Sequence, residues 1–296
     1  MSINNMWSQN TELLFFKSCE NFASPEQLFY ITDENKYFAY WPKDYYGKKS
    51  TLQSRNSLIG KFSEKWTANL IKNLIKDMGL FAIQSAQCDE IGLTNKSPAD
   101  IVISTKNKRK LKPKDIKIIF EVKMSLVWNW ELNKNGLISE IGDYKTHQGR
   151  PGLLRSDSIL KAIGKCINIR VFDFQSAKIP LIVLGNTPIT ETYYSKVDHL
   201  KKTGVIQGFW SINPKPLSNE ETLKSTAENG FIRFDNEIEM KNSIKKLIDM
   251  DLNFFSGMRE TKELGNLIEI ANSKKTYEEK GFEFLRLLKE WLYGKK

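Results

Sequence analysis

The chain has 296 residues, 40% hydrophobic and 11% aromatic, and its 45 Lys and Arg outweigh 35 Asp and Glu to give a net charge of +10. That apolar content supplies a core for one large domain or two ordinary ones and excludes a disordered chain, while the positive balance favours polyanionic partners. Two histidines and the separated Cys19, Cys88 and Cys166 exclude a disulfide framework, a zinc knuckle and a multi-histidine metal site.

No GxxxxGK[ST] phosphate loop and no GxGxxG after a strand is present, which argues against a nucleotide-powered enzyme or a dinucleotide oxidoreductase. The opening MSINNMWSQNTELLFF has none of the features of a secretory signal, and no apolar run approaches membrane-spanning length. A cytoplasmic protein with no membrane partner is expected.

Residues Thr11 to Cys19 read as a helix. The stretch YFAYWPKDYYGKK (37–49) is either a packed N-terminal layer with solvated lysines or a set of aromatics that stack on bases. SEKWTANLIKNLIKDMG then predicts a helix capped by Ser63 and stopped at Gly79. Its Ala68, Leu70, Ile71, Leu74, Ile75 and Met78 share one apolar arc, and Glu64 projects inside that arc. Glu64 is either a first-turn acid favoured by the helix dipole or a carboxylate aimed over a sheet.

Three strands follow: Leu80 to Gln87, Asp100 to Ser104 and Ile116 to Lys123. The basic connection Thr105 to Asp115 is either a solvated hairpin tip or a track for a nucleic-acid backbone. A long polar and aromatic connection comes next, of the kind that is either functional or disordered. In it His147, Gln148, Arg150 and Arg155 suit base edges or phosphates, and Ser156 with the amides opening the next helix suits a phosphate. Trp128 and Trp130 read as core before platform.

RSDSILKAIGKCINIRVF predicts a helix capped by Ser156, with Ile159, Leu160, Ile163, Cys166 and Ile167 inward and Lys161 and Lys165 away from that face. Ile179 to Leu184 is a buried strand with Asn186-Thr187-Pro188 as its exit, and Val205 to Ile212 a further strand. Helices are expected at Glu237 to Leu252 and Glu278 to Leu292, the second carrying Phe282, Leu285, Leu288 and Leu292. No linker separates them, so they are expected to pack on the same body. The order helix, three strands, helix, strand predicts an α/β (α+β) fold, a mixed central sheet flanked by helices.

In IKIIFEVK the two-residue period puts Lys117, Ile119, Glu121 and Lys123 on one face. Asp100 opens the preceding strand, and the return of the chain would set it beside Glu121. Two carboxylates and an amine would then converge at one end of the sheet. Phosphodiester cleavage uses a divalent ion, and hard oxygen ligands such as Asp and Glu suit magnesium. Lys123 would position or deprotonate the nucleophile.

Pro98-Ala99-Asp100 and Glu121-Val122-Lys123 resemble the motif of the PD-(D/E)XK nuclease superfamily, to which most type II restriction endonucleases belong. Here Ala99 separates the proline from the acid. The resemblance implies a restriction-endonuclease-like core over about 55–185 of a single 1–296 domain, with an N-terminal extension (1–54) and a mostly helical C-terminal part (217–296). It implies Mg2+ held by Asp100, Glu121 and the Val122 backbone carbonyl, Lys123 as the catalytic lysine, and Glu64 as an added acid from the first core helix. It further implies a homodimer cutting double-stranded DNA at a specific sequence in a prokaryotic cytoplasm, paired with a cognate DNA methyltransferase. Two alternatives stay open: a structure-directed repair or recombination nuclease, and a non-catalytic nucleic-acid-binding protein whose Asp100, Glu121 and Lys123 form a structural ion cluster.

Overall fold

Alternating apolar residues build a six-stranded central sheet that is buried on both faces. The structure, a computed structural model, describes residues 6–255 and 260–293, the side chains of 291–293 excepted, so the expectation for the Leu292 side chain lies outside the described residues. In the first half of the chain the elements are α1 (Gln9–Cys19), α2 (Pro25–Leu28), β1 (Tyr30–Ile31), β2 (Tyr37–Phe38), α3 (Gln53–Leu74), β3 (Phe81–Ala86), β4 (Ala99–Ser104), β5 (Ile116–Lys123), β6 (Asn129–Leu132) and β7 (Ile138–Gly142). There follow α4 (Ser156–Phe172), β8 (Leu181–Gly185), α5 (Tyr194–Lys202), β9 (Gly208–Ser211), β10 (Phe231–Arg233), α6 (Glu237–Asp249), α7 (Thr261–Asn272) and α8 (Tyr277–Tyr293).

The central sheet runs β10-β9-β8-β5-β4-β3. Neighbours among β3, β4 and β5 are antiparallel, and those from β5 through β8 and β9 to β10 are parallel, so the sheet is mixed. Ile101, Ile103, Ile118, Phe120 and Val122 pack with Ile59, Leu70, Ile71 and Leu74 of α3 on one face. Val102, Ile119 and Val183 pack with Ile159, Ala162, Cys166 and Ile169 of α4 on the other. The two helices therefore cover opposite faces of one strand pair, β4 and β5.

Several boundaries differ from the sequence reading, each for a local reason. Helix α3 begins at Gln53, so Ser63 is not its cap: it is buried in mid-helix, where its hydroxyl donates to the Gly60 carbonyl at 2.9 Å. Glu64 accordingly lies far from the first turn, and the helix-dipole explanation for it falls. On α4 the cap is Arg155, not Ser156, and Leu160 and Ile167 are exposed rather than inward. The buried arc instead includes Ala162, Ile169 and Arg170.

The long connection after β5 is not a loop. It forms the β6-β7 hairpin of a second sheet, ordered β1-β2-β6-β7, closed by an Asn135-Gly136 turn in which Gly136 has φ +82°. The aromatic stretch 37–49 begins as strand β2 of this sheet and continues into a packed layer, with Trp41 stacked on Tyr30 and Tyr45 at 4.6 and 4.7 Å. Trp128 and Trp130 are core. The basic connection 105–115 folds back on the neighbouring edge, its Arg109 carbonyl and Leu111 N–H pairing with Gln87. Lys110 and Lys112 pair with Asp89 and Glu90 there.

Glu12 of α1 ties the second sheet to the chain leaving β5. Fully buried, it accepts hydrogen bonds from the Trp7 and Trp130 indoles and from the Val127 and Trp128 backbone N–H groups, at 3.1, 2.8, 2.6 and 3.4 Å. Burial pushes its carboxyl up to about 8, although all four donors pull it down.

The residues divide into two compact units, one ending at Asn253 and one starting at Phe254. Helix α6 belongs to the first, whereas α7 and α8 build the second, with Phe255 edge-on to Phe284 at 6.3 Å. Among the described residues no helix is long and apolar enough to cross a membrane.

Glu12→Ala strands two indole and two backbone donors in the core, an expected loss of about 3 kcal/mol in urea unfolding. Because the folded-state pKa is raised, the stability that the wild type owes to this carboxyl is fully present below about 4.5 and declines as pH rises toward 8. The gap between wild type and variant should narrow over that interval.

Candidate active site

The register of β4 on β5 decides which side chains meet. Ile101 lies opposite Phe120 and Val102 opposite Ile119, so one further step sets Asp100 against Glu121 on the face covered by α4. Where the ladder ends, Asp100 Oδ2 accepts the Val122 N–H at 2.7 Å, which fixes the carboxylate at the end of the strand. Lys123 returns to the same face, and its Nζ lies 2.5 Å from Glu121 Oε1 and 3.4 Å from the Val122 carbonyl oxygen.

A second lysine joins them from α4. Lys165 Nζ lies 3.0 Å from Asp100 Oδ1 and 2.5 Å from Glu121 Oε2, bridging the two carboxylates. The start of α4 is pinned for this purpose: Gly152 N–H donates to Ser125 Oγ at 2.7 Å, and Leu153 N–H to Thr187 Oγ1 at 2.8 Å. Gly152 has φ +50°, and a Cβ there would sit 2.9 Å from Thr187 Oγ1, so only glycine lets the chain turn this close.

The electrostatics follow from burial. Glu121 is 6% exposed, and burial together with the like charge of Asp100 raises its pKa against the pull of Lys123 and Lys165. Burial works against the Lys165 ammonium, yet Asp100 and Glu121 outweigh it and hold its pKa above the ordinary value. Glu64, on the other face of the sheet, is raised by burial first and then by Asp100 and Glu121, while Gln84 Nε2, 3.5 Å from its Oε2, offsets this. Glu64 thus belongs to the same electrostatic field without joining the ion cluster directly.

Among the described residues no group of three or more His, Cys, Asp or Glu side chains converges as a metal cage. Magnesium does not require one, since it keeps several waters and takes one or two carboxylates. The donor set here fits that pattern: Asp100 and Glu121 are hard oxygen donors close enough for one cationic group to touch both.

Beside the cluster opens a cavity of about 590 Å³, lined among others by Lys123, Tyr40, Arg55, Arg150, Arg155 and Lys161. Arg150 and Ser156 are exposed, and Arg155 makes a two-pronged pair with Asp157 at 2.9 and 2.8 Å. Gln148 is exposed and lines the cavity, whereas His147 does not reach the surface. His147 is buried and stacked on Tyr40 at 4.0 Å, with Nε2 against the Val127 carbonyl at 3.3 Å. The Gln148 amide donates to the Pro42 and Tyr45 carbonyls at 2.7 and 2.8 Å, so it staples the aromatic segment to the hairpin.

Lys165 is the residue that sequence reasoning missed as part of the site. Counting Leu160 and Ile167 as inward rotates the apolar arc of α4 away from Lys165, whereas the buried arc runs up to Ile169, only about 40° from it. No protein-family model matches the chain, and neither a curated protein nor a solved structure does.

Burial lowers the His147 pKa to about 4, against the hydrogen bond to Val127, so the folded protein keeps this ring neutral. The unfolded chain binds the proton first, and stability is lost as pH falls from the ordinary 6.5 through 4. Over that window the wild type should lose up to about 3 kcal/mol relative to His147→Gln in unfolding titrations.

Proposed function

We propose that this protein is a magnesium-dependent nuclease of the PD-(D/E)XK kind with a restriction-endonuclease-like core, acting as a type II restriction endonuclease on double-stranded DNA. The observation that carries this reading is the meeting of Asp100 and Glu121 around one cationic group beside Lys123, next to an arginine-lined cavity. The element order supports it: α3, then β3, β4 and β5, then, after the inserted β6-β7 hairpin, α4 and β8. The net charge of +10 suits a polyanionic substrate.

Asp100, Glu121 and the Val122 carbonyl would hold the ion. When bound, a divalent ion neutralises phosphate charge and makes water a better nucleophile near neutral pH. Lys123, held by Glu121 and lining the cavity, orients the water or a phosphate oxygen there. Arg150 and Arg155 draw the DNA backbone to the cavity, and Glu64 adds negative potential from the α3 side.

With magnesium and plasmid DNA the wild type should give discrete fragments, and Asp100→Ala and Lys123→Ala should each cut at least about 100-fold more slowly. Undiminished cleavage by either variant sinks the proposal. Preference for branched or broken DNA over intact plasmid would instead select a repair or recombination nuclease. One observation favours a second reading, a non-catalytic nucleic-acid-binding protein: Lys165 already compensates both carboxylates, as in a structural ion cluster. Gel-shift binding without magnesium-dependent cleavage selects it.

A homodimer belongs to the same proposal, because cutting two strands at a symmetric target calls for two sites related by a two-fold axis. Leu160, Ile167 and Val171 stand exposed in a row on α4, and this row is the surface proposed for the second copy. Sedimentation should show a dimer that Leu160→Glu combined with Val171→Glu converts to monomer; a monomeric wild type refutes it. The proposed setting is a prokaryotic cell in which a cognate DNA methyltransferase protects the host sites.

A further inference from the structure

We propose that Lys165 is a resident counter-cation that holds the ion's place between Asp100 and Glu121 and makes divalent-ion binding depend on the arrival of the DNA phosphate, an inference that rests on the nuclease reading. Each of the four carboxylate oxygens already has a donor. Asp100 Oδ2 takes the Val122 N–H and Oδ1 takes Lys165, while Glu121 Oε1 takes Lys123 and Oε2 takes Lys165. An entering ion must displace one of these donors. The Val122 N–H is fixed backbone, and Lys123 touches only one of the two acids. Lys165 alone among these donors spans both, and it comes on a long side chain from a separate element, so its departure opens both carboxylates together.

Charge accounting gives the coupling. In formal charge Lys123 and Lys165 already balance Asp100 and Glu121, so a divalent ion entering the cluster overshoots. A phosphodiester brings the missing negative charge and offers the displaced ammonium a new anion. Without Lys165 one formal negative charge of the cluster is left uncompensated and draws the ion without help from DNA. Lys161, one turn earlier on α4, lines the cavity beside Lys123, so the helix that carries Lys165 already presents ammonium groups toward the proposed DNA path. Lys165 is a positioning residue in this scheme, acting on the acids and not on the reacting atoms.

The test is calorimetric titration of the full-length protein with magnesium and with calcium, without DNA, for wild type, Lys165→Met, Lys165→Gln and Lys165→Arg. Melting curves establish that each variant is folded, and the glutamine form stands in if the methionine form is not. Both neutral variants should bind the ion at least about tenfold more tightly than wild type, and Lys165→Arg, which keeps the charge, should stay near wild type. Repeating the calcium titration with plasmid DNA should raise the affinity of wild type more than that of the neutral variants. Equal affinity in wild type and neutral variants, or weaker binding by the latter, overturns the proposal while leaving the metal site standing. Absence of specific ion binding in every folded form overturns the metal reading itself, and this inference with it.

Discussion

Two carboxylates placed side by side in a half-dry pocket need cations to stay ionised, and the arrangement around Asp100 and Glu121 answers that constraint. Antiparallel pairing of β4 with β5 sets the acids opposite one another, and parallel pairing of β5 with β8 buries the strand that carries Glu121. Desolvation then raises Glu121, and compensation has to come from close by. It comes from two directions: Lys123, two residues along the same strand, and Lys165, from the helix laid across that face. The position of α4 is therefore an electrostatic requirement as well as a packing one. The turn at Gly152 and the Ser125 and Thr187 hydrogen bonds deliver it.

The opposite side of β5 is braced by a different buried carboxyl group. Glu12 gathers four N–H donors from Trp7, Val127, Trp128 and Trp130, and so fastens the N-terminal helix to the chain just beyond Lys123. That chain continues into the β6-β7 hairpin, whose sheet includes the strand that begins the aromatic segment. The cavity wall is built from this layer, where Arg55 sits over the rings of Tyr30 and Tyr40 at 5.0 Å each. Tyr40 and Trp41 of the aromatic segment thus form part of the cavity wall, with Arg55 and Arg150 beside them.

How far the sequence could be read follows from the range of the forces involved. The strands and the shared face of Glu121 and Lys123 were legible because a two-residue period is local. The place of Glu64 on its helix was legible as well, since it lies about 20° from buried Ile71. The start of α3 was not, because Gln53 to Phe62 carries a polar run whose helicity depends on packing against distant segments. Leu160 and Ile167 look like core by composition, and only the tertiary fold leaves them exposed; that misreading turned Lys165 away from the site. The hairpin after β5 had a local signal, Asn135-Gly136, hidden inside a stretch dense in charge. The second sheet pairs residue 38 with residue 131, a separation that no window of periodicity spans.

Stability alone does not account for the cluster at the end of β5. Buried ion pairs return little net free energy, because desolving each charge offsets the attraction, and apolar residues of similar volume serve a fold at least as well. Elsewhere on this sheet that solution is the one used: the strand positions beside the acids are Ile101, Val102, Ile119 and Phe120. At Asp100, Glu121, Lys123 and Lys165 the chain departs from it on two adjacent strands and a helix at once, where the sheet meets an arginine-lined cavity. A costly set of charges gathered next to an opening is what binding or chemistry requires and what packing does not, and this asymmetry favours a working site over a structural knot.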